Sequence, residues 1–485
     1  MKILFVLYGD FSTNTANPVC LFANELSQLG HECVIAVPAG IESSKLQEGT
    51  NFTPILYADV LRTSGNIFSD GGRADIIHAC TPRRGVYEFL LQYLPYWPTP
   101  LVLYLEDNEL WISCNYLGLQ ESALIGLTDE ELATRIPLAL SHPIDYRYFI
   151  ALADLAIVIQ NKLNIEVPPF IPSHTIPWGV DHQKFKPDVL ALESLRAQFG
   201  ITPNDKVIVY HGGLNGFTRP AIRDLCKAVE LMNTDGIVCK LIRTGSNAIN
   251  FWDELSPNAR NIIVEAGVVP KENVPAILAL ADIYVQPGRV DPFEDLRLPS
   301  KLLEFLSMGK PVIVPNVNIA ELLSHGENAW ILAKGDPKEI AAAVMYLFKN
   351  PDKAALLGRG AREFAKIHFD IRTQTAKLVT AYMQAIANFD ASQTKQIWDV
   401  AKVSGLLFAA ILRIKLKVAS QKDSDQGFME YIVKLLELQG QRLTGLGMRL
   451  HLLGAEKIAL LNNPPKNDPI LLVRLAHLLR SWIGK

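Results

Sequence analysis

Short apolar runs alternate with amphipathic stretches along most of the chain. Ile3 to Leu7 is a continuous apolar run, as in a strand that is covered on both faces. After a polar loop, Val19 to Leu29 has the spacing of an amphipathic helix, Gly30 is placed to end that helix, and Cys33 to Val37 is the next apolar run. A strand, a helix and a strand in such a short stretch predict a βαβ unit, and therefore a parallel sheet.

The alternation forms two series with a charged segment between them. The first series continues with ADIIHA, PLVLYLED and ADLAIVIQ, and the second contains KVIVYHGG, VCKLIRTGS, NIIVEAG, DIYVQPG, KPVIVPN and NAWILAK. Pro187 to Lys206 is the predicted connection. We predict an α/β protein of two Rossmann-like domains that face a cleft, residues 1–186 and 187–388, with 351–388 as helices that close the second domain. In such sheets, ligands bind beyond the carboxyl ends of the strands.

Residues 389–485 are predicted to be a helical, basic extension without strands. From Ala391 onward there are 14 lysines and arginines against 7 acids, so this part carries +7 and the residues before it −10. The last segment, DPILLVRLAHLLRSWIGK, resembles an amphipathic helix that lies in a membrane interface. A helix that docks on the protein's own core explains the same pattern equally well, and a solvated basic tail explains the charge.

The composition excludes wholesale disorder and indicates no membrane span. Of the 485 residues, 49% are hydrophobic and 20% are charged, which is ordinary for globular domains. No stretch has the roughly 18 uninterrupted apolar residues of a span, and MKILFVLYGD has too short an apolar run for a signal peptide. Six scattered cysteines without zinc spacing favour buried, reduced thiols. We therefore predict a cytoplasmic protein, with peripheral contact at the inner face of a membrane as an option for its C-terminal helices.

The loop HGGLNGFTR follows a predicted strand and precedes a predicted helix. Gly212, Gly213 and Gly216 let the backbone approach a ligand, and a helix N-terminus offers free N–H groups. Arg219 adds a charge and a bidentate fork suited to phosphate. The loop lacks both the Walker signature and G-x-G-x-x-G, which argues against a nucleotide hydrolase and a dinucleotide oxidoreductase. A glycine-rich turn with a solvated arginine is an equal alternative.

A second charged position lies at the start of an otherwise apolar helix, in RLPSKLLEFLSMGKPVIVP. Pro299 suits the first turn of this helix, and Lys301 and Glu304, at i and i+3, share one face. The flanking leucines and phenylalanine bury much of the helix, so this charged face must look into something polar. A carboxylate there can accept hydrogen bonds from sugar hydroxyls, and a lysine can hold phosphate. The alternative is a surface ion pair that contributes about a few tenths of a kcal/mol.

These segments, in this order, resemble the retaining GT-B glycosyltransferases of the large group 1 family (family 4). RLPSKLLEFLSMGKPVIVP resembles the donor-binding segment, HGGLNGFTR stands in the place of the phosphate loop, and EAGVVPKENVPAILALADIYVQP is similar to the segment whose backbone contacts the nucleobase. ADIIHACTP is similar to a first-domain strand, and ADLAIVIQ with IPWGVDHQKFKP to the entry into the interdomain linker. The resemblance covers residues 1–388 and depends on the ordered set of motifs. It implies the GT-B fold, a nucleotide-sugar donor and retention of anomeric configuration.

The resemblance also implies roles for individual residues. Glu304 matches the glutamate that holds the ribose hydroxyls of the donor. Arg219 matches one of two basic residues on the diphosphate, and Lys301 would lie beside the phosphates or the donor sugar. The other implied donor contacts are the loop from Gly9 to Ser12, the phosphate-loop residue Gly213, the nucleobase-segment residue Val268, and the backbone at Arg297 and Leu298.

Two positions of the donor site depart from the family's pattern. Leu296 stands where the family has a first glutamate, so Glu294 or Asp295 becomes the candidate to contact the donor sugar. Gly213 stands where the phosphate loop has its first basic residue, so the remaining cations must supply more of the charge.

A third departure lies in the first domain. The strand PLVLYLEDNE ends in Glu106 and Asp107, where many members of the family have His-Asp. A carboxylate there would orient the sugar or the acceptor. We therefore predict Glu106, Arg219, Lys301 and Glu304 as the catalytic residues, and no metal ligands.

The predicted function is transfer of a sugar from a UDP- or GDP-linked donor to a glycan, a lipid-linked glycan or another acceptor, without a cofactor or a nucleic-acid partner. The leaving diphosphate gathers negative charge, which cations and helix-end N–H groups stabilise. One alternative is a GT-B sugar-nucleotide epimerase, which would need no acceptor. Another is a non-catalytic scaffold that binds a membrane or a partner through its basic helices.

Overall fold

Two parallel β-sheets with helices packed on them form the two domains that the alternating pattern predicted. The computed structural model describes residues 1–47, 49–187, 192–250 and 252–420 of the chain. The amphipathic segment predicted at Asp468 to Lys485 lies outside the described residues. The predicted fold class, α/β with two Rossmann-like domains, is confirmed.

The first domain is built on a seven-stranded sheet of order β3-β2-β1-β4-β5-β6-β7. Its strands are β1 (Lys2–Leu7), β2 (Glu32–Val37), β3 (Thr53–Leu56), β4 (Ile76–Cys80), β5 (Leu101–Leu105), β6 (Leu155–Val158) and β7 (Ser173–Thr175). Its helices are α1 (Ala16–Gln28), α2 (Tyr57–Arg62), α3 (Arg84–Tyr93), α4 (Glu109–Leu117), α5 (Glu121–Ile125), α6 (Asp129–Arg135) and α7 (Asp145–Ile150). The central strands β4, β5 and β6 are fully buried, because helices cover both faces of the sheet.

The second domain is built on a six-stranded sheet of order β10-β9-β8-β11-β12-β13. Its strands are β8 (Lys206–His211), β9 (Cys239–Thr244), β10 (Ile263–Gly267), β11 (Ile283–Val285), β12 (Val312–Pro315) and β13 (Trp330–Leu332). Its helices are α8 (Leu192–Gln198), α9 (Arg219–Thr234), α10 (Ala259–Ile262), α11 (Val274–Leu278), α12 (Pro292–Leu296), α13 (Ser300–Ser307), α14 (Pro337–Lys349) and α15 (Pro351–His368). The strand order reverses between β8 and β11, and such a switch point is where ligands bind in open α/β sheets.

Every predicted strand is present, and two further strands were not predicted. These are β3 and β7, which form the two edges of the first sheet. Their side chains are at most partly buried. A short edge strand therefore carries too little apolar signal to be found from the sequence pattern.

Two segments cross between the domains side by side. The amide of Val180 donates to the carbonyl of Phe369 at 2.8 Å, and the amide of Ile371 donates to the carbonyl of Val180 at 3.3 Å. A Cβ on Gly179 would lie 2.5 Å from Cα of Ile371, so only glycine fits at this crossing. The chain therefore leaves the first domain after Val180 and returns to it at Ile371.

The returning chain forms three helices that pack against the first domain. They are α16 (Ile371–Ala387), α17 (Ala391–Ser404) and α18 (Leu406–Ser420). Tyr382 of α16 is buried and shares a 2.6 Å hydrogen bond with His78 of β4, and Arg413 of α18 forms a buried 2.8 Å ion pair with Asp154.

These helices divide between the two domains. Helix α15 packs on α13 of the second domain, whereas α16 packs on α1 and β5 of the first domain. Residues 391–420, which belong to the predicted helical, basic extension, dock on α3 and α7 of the first domain. The apolar stripe of a helix shows that the helix is covered, whereas it does not show which domain covers it. Among the described residues, no helix has the length and apolar character needed to cross a membrane.

Candidate functional site

Two tight loops follow β8 and β9 at the switch point of the second sheet. Gly212 has φ of 144° and Gly245 has φ of 118°, which side chains rarely adopt. A Cβ on Gly245 would lie 2.6 Å from the carbonyl carbon of Gly212, and a Cβ on Gly212 would lie 2.7 Å from Cε of Lys301. The two loops and the stem of this lysine therefore pack directly on one another.

Helix α13 presents Lys301 and Glu304 because its other side is buried. Its buried face consists of Leu302, Leu303, Phe305, Leu306 and Ser307. Phe305 stacks on Tyr284 of β11 with ring centres 4.6 Å apart. This contact fixes the helix on the sheet, and Lys301, on the other side of the helix, packs against Gly212 of the glycine-rich loop.

Lys301 lies against the end of β8. Its Nζ is 3.3 Å from the hydroxyl oxygen of Tyr210 and 5.0 Å from the centre of that ring. The phenol and its π face orient the ammonium group. The predicted site cation is therefore held at the start of the glycine-rich loop.

Glu304 lies one turn further along α13. Part of its side chain is accessible, but Oε2 is buried and has no hydrogen-bond partner within the described chain. Burial raises the pKa of Glu304 to about 7, and the charges of Lys301, Lys184 and Lys271 oppose that rise. Because a buried oxygen without a partner is costly, a ligand hydroxyl at this position would be strongly favoured.

Asp295 is engaged away from the glycine-rich loop. Lys162 of the first domain forms a 2.6 Å ion pair with its Oδ1. The same oxygen accepts a 3.1 Å hydrogen bond from the amide of Asn318. Asp295 thus fastens α12 to the first domain, which makes it the weaker candidate to replace the family's first glutamate.

Glu294 is the better placed of the two candidate carboxylates. It is buried, and Arg297 forms a 3.1 Å ion pair with it. Burial raises the pKa of Glu294, while Arg297 opposes the rise and the charges of Lys301 and Asp107 also act on it. Its neighbour Phe293 stacks on Trp111 of the first domain, so Glu294 lies beside the boundary between the two domains.

Arg219, which the sequence placed just before a helix, is the first residue of α9, and it has an acidic partner that was not predicted. Its Nε donates to Oε1 of Glu254 at 2.7 Å, and Arg223 contacts the same carboxylate at 3.3 Å. The Arg219 side chain is 46% exposed. Its charge is therefore partly compensated, and its role at a diphosphate stays a prediction that requires this ion pair to open.

The other implied donor contacts lie beyond the strand ends of both domains. Gly9 follows β1, where a Cβ would meet Cγ2 of Thr13 at 2.6 Å. Gly213 packs beside Ser246 of the second tight loop. Val268 follows β10 directly and is 77% exposed, whereas the side chain of Leu298 is buried, so only its backbone is available to a ligand.

Glu106 follows β5 at the carboxyl edge of the first sheet. The hydroxyl of Thr15 donates to its Oε2 at 2.6 Å, while Oε1 is buried and unpaired among the residues that the structure describes. Burial raises the pKa of Glu106 to about 8, Thr15 opposes this rise and the charge of Asp107 adds to it. The carboxyl group therefore holds its proton at neutral pH.

A second polar group beside Glu106 was not predicted. Arg83, which follows β4, forms a buried 3.3 Å ion pair with Glu109 and lies 3.9 Å from the ring centre of Tyr8. Thr81 and Ser141 donate to the Glu109 carboxylate at 3.1 and 2.8 Å. No motif marks these residues, but Tyr8 directly follows one predicted strand and Arg83 lies in the loop after another, where functional side chains are expected.

Aromatic side chains join the two domains beside these strand ends. Trp111 of α4 stacks on Phe293 of α12 with ring centres 3.7 Å apart and an interplanar angle of 15°. Phe217 of the glycine-rich loop approaches the same indole at 6.0 Å. Glu109, which precedes this indole on α4, belongs to the acidic group of the first domain. The polar edges of the two domains therefore face each other across a shared boundary.

Two histidines near strand ends have structural roles. His78 is buried against Tyr382, and burial lowers its pKa to about 3. His211 shares a 2.8 Å hydrogen bond with Thr244, and burial, aided by the Lys301 and Lys271 charges, lowers its pKa to about 4. Both are neutral at physiological pH and have partners within the packed chain.

Residues 205–350 match the family model described as Glycosyl transferases group 1. N-acetyl-alpha-D-glucosaminyl L-malate synthase of Bacillus anthracis is 24% identical over 245 residues, or 49% of this chain and 60% of that protein. A GDP-mannose-dependent alpha-(1-6)-phosphatidylinositol monomannoside mannosyltransferase of Mycolicibacterium smegmatis is 26% identical over 211 residues, or 42% of this chain and 54% of that protein. The matches span only 60% or less of the length of these curated relatives.

Solved structures match most of the chain at low sequence identity. HepE of Anabaena in complex with UDP and glucose has a TM-score of 0.58 and 16% identity, with 78% of this chain and 98% of that chain covered. Sucrose-phosphate synthase of Thermosynechococcus elongatus has a TM-score of 0.57 and 15% identity, with 80% and 100% covered. The chain therefore has the two-domain GT-B fold of these neighbours, with a second domain that matches the group 1 glycosyl transferases.

Proposed function

We propose that this chain is a glycosyltransferase that moves a sugar from a nucleoside diphosphate sugar to an acceptor. The observation that carries the proposal is the grouping of Lys301, Glu304 and two tight glycine loops at the switch point of the second sheet. A diphosphate needs close backbone approach and a cation, and a ribose needs a hydrogen-bond acceptor. This grouping supplies all three within the domain that matches the family model.

In the proposed complex, Glu304 accepts hydrogen bonds from the ribose hydroxyls through its buried Oε2. Lys301, oriented by Tyr210, contacts the diphosphate. When the bond between sugar and diphosphate breaks, negative charge gathers on the leaving oxygen, and a cation that is already in place stabilises it. Arg219 would add charge to the same diphosphate after its ion pair with Glu254 opens.

The sugar would then lie between the two domains. Glu294 approaches it from α12 of the second domain, in place of the family's first glutamate. Glu106 approaches it from the first domain, where its protonated carboxyl donates a hydrogen bond to a sugar or acceptor oxygen. The resemblance supports retention of anomeric configuration. The paired basic residues Lys301 and Arg219 would make a metal ion unnecessary at the diphosphate.

The proposed donor is linked to UDP or GDP. Support comes from the structural neighbour that is described with UDP and glucose, and from the mycobacterial relative that is named as GDP-mannose-dependent. The proposed acceptor is a glycan or a lipid-linked glycan. A cytoplasmic enzyme with peripheral contact at the membrane face would fit such an acceptor, and deletion of residues 421–485 followed by liposome pelleting tests that contact.

The experiment that tests the proposed function is calorimetric titration of the full chain with UDP, GDP and the corresponding nucleosides. We expect the wild type to bind one of the two nucleotides. Glu304→Ala should weaken the binding of both that nucleotide and its nucleoside roughly tenfold, because the ribose hydroxyls then lose a carboxylate that accepts their hydrogen bonds. Glu363→Ala, an exposed glutamate of α15, is the matched control. Binding of neither nucleotide by the wild type would contradict the proposal.

A second step separates transfer from epimerisation. The chain is incubated with the donor sugar nucleotide that binds, first without acceptor and then with a panel of glycans. A transferase should consume the donor rapidly only when an acceptor is present. Without an acceptor, it should consume the donor no faster than by slow hydrolysis. Appearance of a new sugar nucleotide from donor alone would identify an epimerase instead.

A further inference from the structure

Trp111 of the first domain lies against α12 of the second domain, the short helix that carries Glu294. Its indole stacks on the ring of Phe293, with the ring centres 3.7 Å apart. Phe293 is buried, and it directly precedes Glu294 in the chain. A stacked aromatic pair has a preferred geometry in addition to the area that it buries. A side chain of the first domain therefore fixes the residue beside the carboxylate that is proposed to contact the donor sugar.

Phe293 and Glu294 are held together in one tight turn. The carboxylate of Asp291 accepts hydrogen bonds from the amides of both residues, each at 2.9 Å. Arg297 provides a second link between them. Its guanidinium group lies 5.3 Å from the centre of the Phe293 ring and forms the 3.1 Å ion pair with Glu294. The position of the Phe293 ring is thus transmitted to the Glu294 carboxylate through the backbone and through Arg297.

The indole is in turn oriented by α4 of the first domain. The side chain of Asn108 caps this helix and accepts a 3.0 Å hydrogen bond from the amide of Trp111. Glu109, at the start of the same helix, forms the buried ion pair with Arg83, which follows β4. These contacts anchor the first turn of α4 beside the strand ends of the first sheet. The direction of the Trp111 side chain is therefore set by the first domain.

We propose that Trp111 is a positioning residue for Glu294, which it aligns with the donor sugar when the two domains are docked. This inference rests on the proposed function, in which Glu294 contacts that sugar. The proposed nucleotide contacts of Lys301 and Glu304 lie on α13 and do not involve the stack. Binding of the sugar part of the donor then depends on Trp111, whereas binding of the nucleotide part does not.

The test compares the bare nucleotide with the sugar nucleotide. The full chain is titrated calorimetrically with UDP and GDP and with a panel of UDP- and GDP-linked hexoses that includes UDP-glucose and GDP-mannose. Trp111→Leu should weaken the sugar nucleotide roughly tenfold, because Glu294 loses its alignment, and the bare nucleotide by no more than about twofold. Trp111→Phe keeps an aromatic face for the stack and should stay within about threefold of the wild type for both ligands.

Lys162→Met is the matched control for a general loosening of the two domains. It removes the other link from the first domain to α12, which is the contact of Lys162 with Asp295, together with its contact with Glu321. The stack of Trp111 on Phe293 is left in place. Because these ion pairs are partly exposed, the variant should change the affinity for either ligand by no more than about twofold.

A double variant tests whether Trp111 acts through Glu294. Glu294→Gln should weaken the sugar nucleotide roughly tenfold, and the addition of Trp111→Leu should weaken it no further, since both changes act on one contact. Additive losses, equal losses of bare and sugar nucleotide in Trp111→Leu, or equal losses in Trp111→Leu and Lys162→Met would overturn the inference. So would a Trp111→Phe variant as weak as Trp111→Leu.

The wild type separates this inference from the proposed function. A wild-type chain that binds neither UDP nor GDP would overturn the proposed function itself. A wild type that binds a nucleotide but no sugar nucleotide of the panel would overturn the inference alone. The same holds if Trp111→Leu binds the sugar nucleotide as tightly as the wild type does.

Discussion

The carboxyl edges of the two sheets differ in charge although the sheets share one topology. At the first sheet, the charges of Glu109 and Asp107 both act on a single arginine, Arg83. At the second sheet, the ammonium groups of Lys301 and Lys271 both act on a single carboxyl, that of Glu304. The backbone arrangement is the same, so the difference arises from the residues that follow the strands.

This contrast indicates how a nucleotide sugar would be oriented. A diphosphate is attracted to the cationic edge and repelled by the acidic one. Sugar hydroxyls can donate to carboxylates and accept from a protonated carboxyl, so the acidic edge suits the sugar and the acceptor. Under the proposed function, charge alone would turn the nucleotide to the second domain and the sugar to the first.

Lys301→Met removes a charge from the cationic edge, and it should have the largest effect on sugar transfer. The substitution keeps the length of the side chain but removes the cation, so we expect kcat/KM for transfer to fall roughly a hundredfold. Steady-state kinetics with the identified donor measure this fall, and Lys338→Met, on an exposed position of α14, is the control. Near-normal transfer by the Lys301 variant would mean that the cationic edge does not carry the diphosphate.

Glu106→Gln should stabilise the fold at alkaline pH. The pKa of Glu106 is about 8 in the folded chain, against an ordinary value of 4.5. Between pH 4.5 and pH 8, the folded state keeps a proton that the unfolded state has released. The contribution of Glu106 to the free energy of unfolding is therefore fully present below pH 4.5 and is lost as the pH rises through 8.

Glutamine has no such dependence, and the variant should therefore gain on the order of 2 kcal/mol over the wild type at pH 9, and much less at pH 5. Urea unfolding at both pH values measures the difference. A gain that is independent of pH would show that the acidic edge is ionised at neutral pH in the folded chain.

The same substitution should alter the pH profile of transfer. If the protonated carboxyl donates a hydrogen bond, wild-type activity falls above pH 8, by about tenfold at pH 9. Glu106→Gln, which keeps an N–H donor, should stay within about threefold of the wild type at pH 7 and lose the alkaline fall. A wild-type rate that instead rises through pH 8, with an inactive glutamine variant, would make Glu106 a base.

Arg219→Met should have the smallest effect. Because Glu254 already compensates part of its charge, we expect nucleotide affinity to weaken only about threefold. Glu254→Gln should have the opposite sign and strengthen binding by a similar factor, since it frees the guanidinium. Both are measured by titration. If the same titration shows that Arg219→Met loses as much nucleotide affinity as Lys301→Met, the ion pair opens fully and Arg219 is an equal partner at the diphosphate.

Much of this architecture was predictable because it depends on local pattern. Buried parallel strands form continuous apolar runs, and the βαβ rule then fixes how they assemble. The position of Glu304 was predictable for the same reason: Leu302, Leu303 and Phe305 bury the adjacent face of α13, so its carboxyl must point to a polar region. The short edge strands escaped prediction because they bury few side chains.

Contacts between distant parts of the chain could not be predicted. Glu254 lies 35 residues from Arg219, and Lys271 lies 254 residues from Asn17, so neither pairing leaves a periodic signal. The choice between Glu294 and Asp295 had the same obstacle. Both are acidic residues on one short helix, and long-range contacts such as the approach of Lys162 to Asp295 from the other domain distinguish them.

The return of α16 to the first domain has a consequence for recombination between related proteins. The first domain is discontinuous in the sequence, because Tyr382 and Arg413 complete a core that begins at β1. A chimera that exchanges the nucleotide-binding half must therefore be joined at two places, near Val180 and near Ile371, where the two crossing segments already lie side by side. A single crossover between the sheets would pair α16 with a surface it did not evolve to cover.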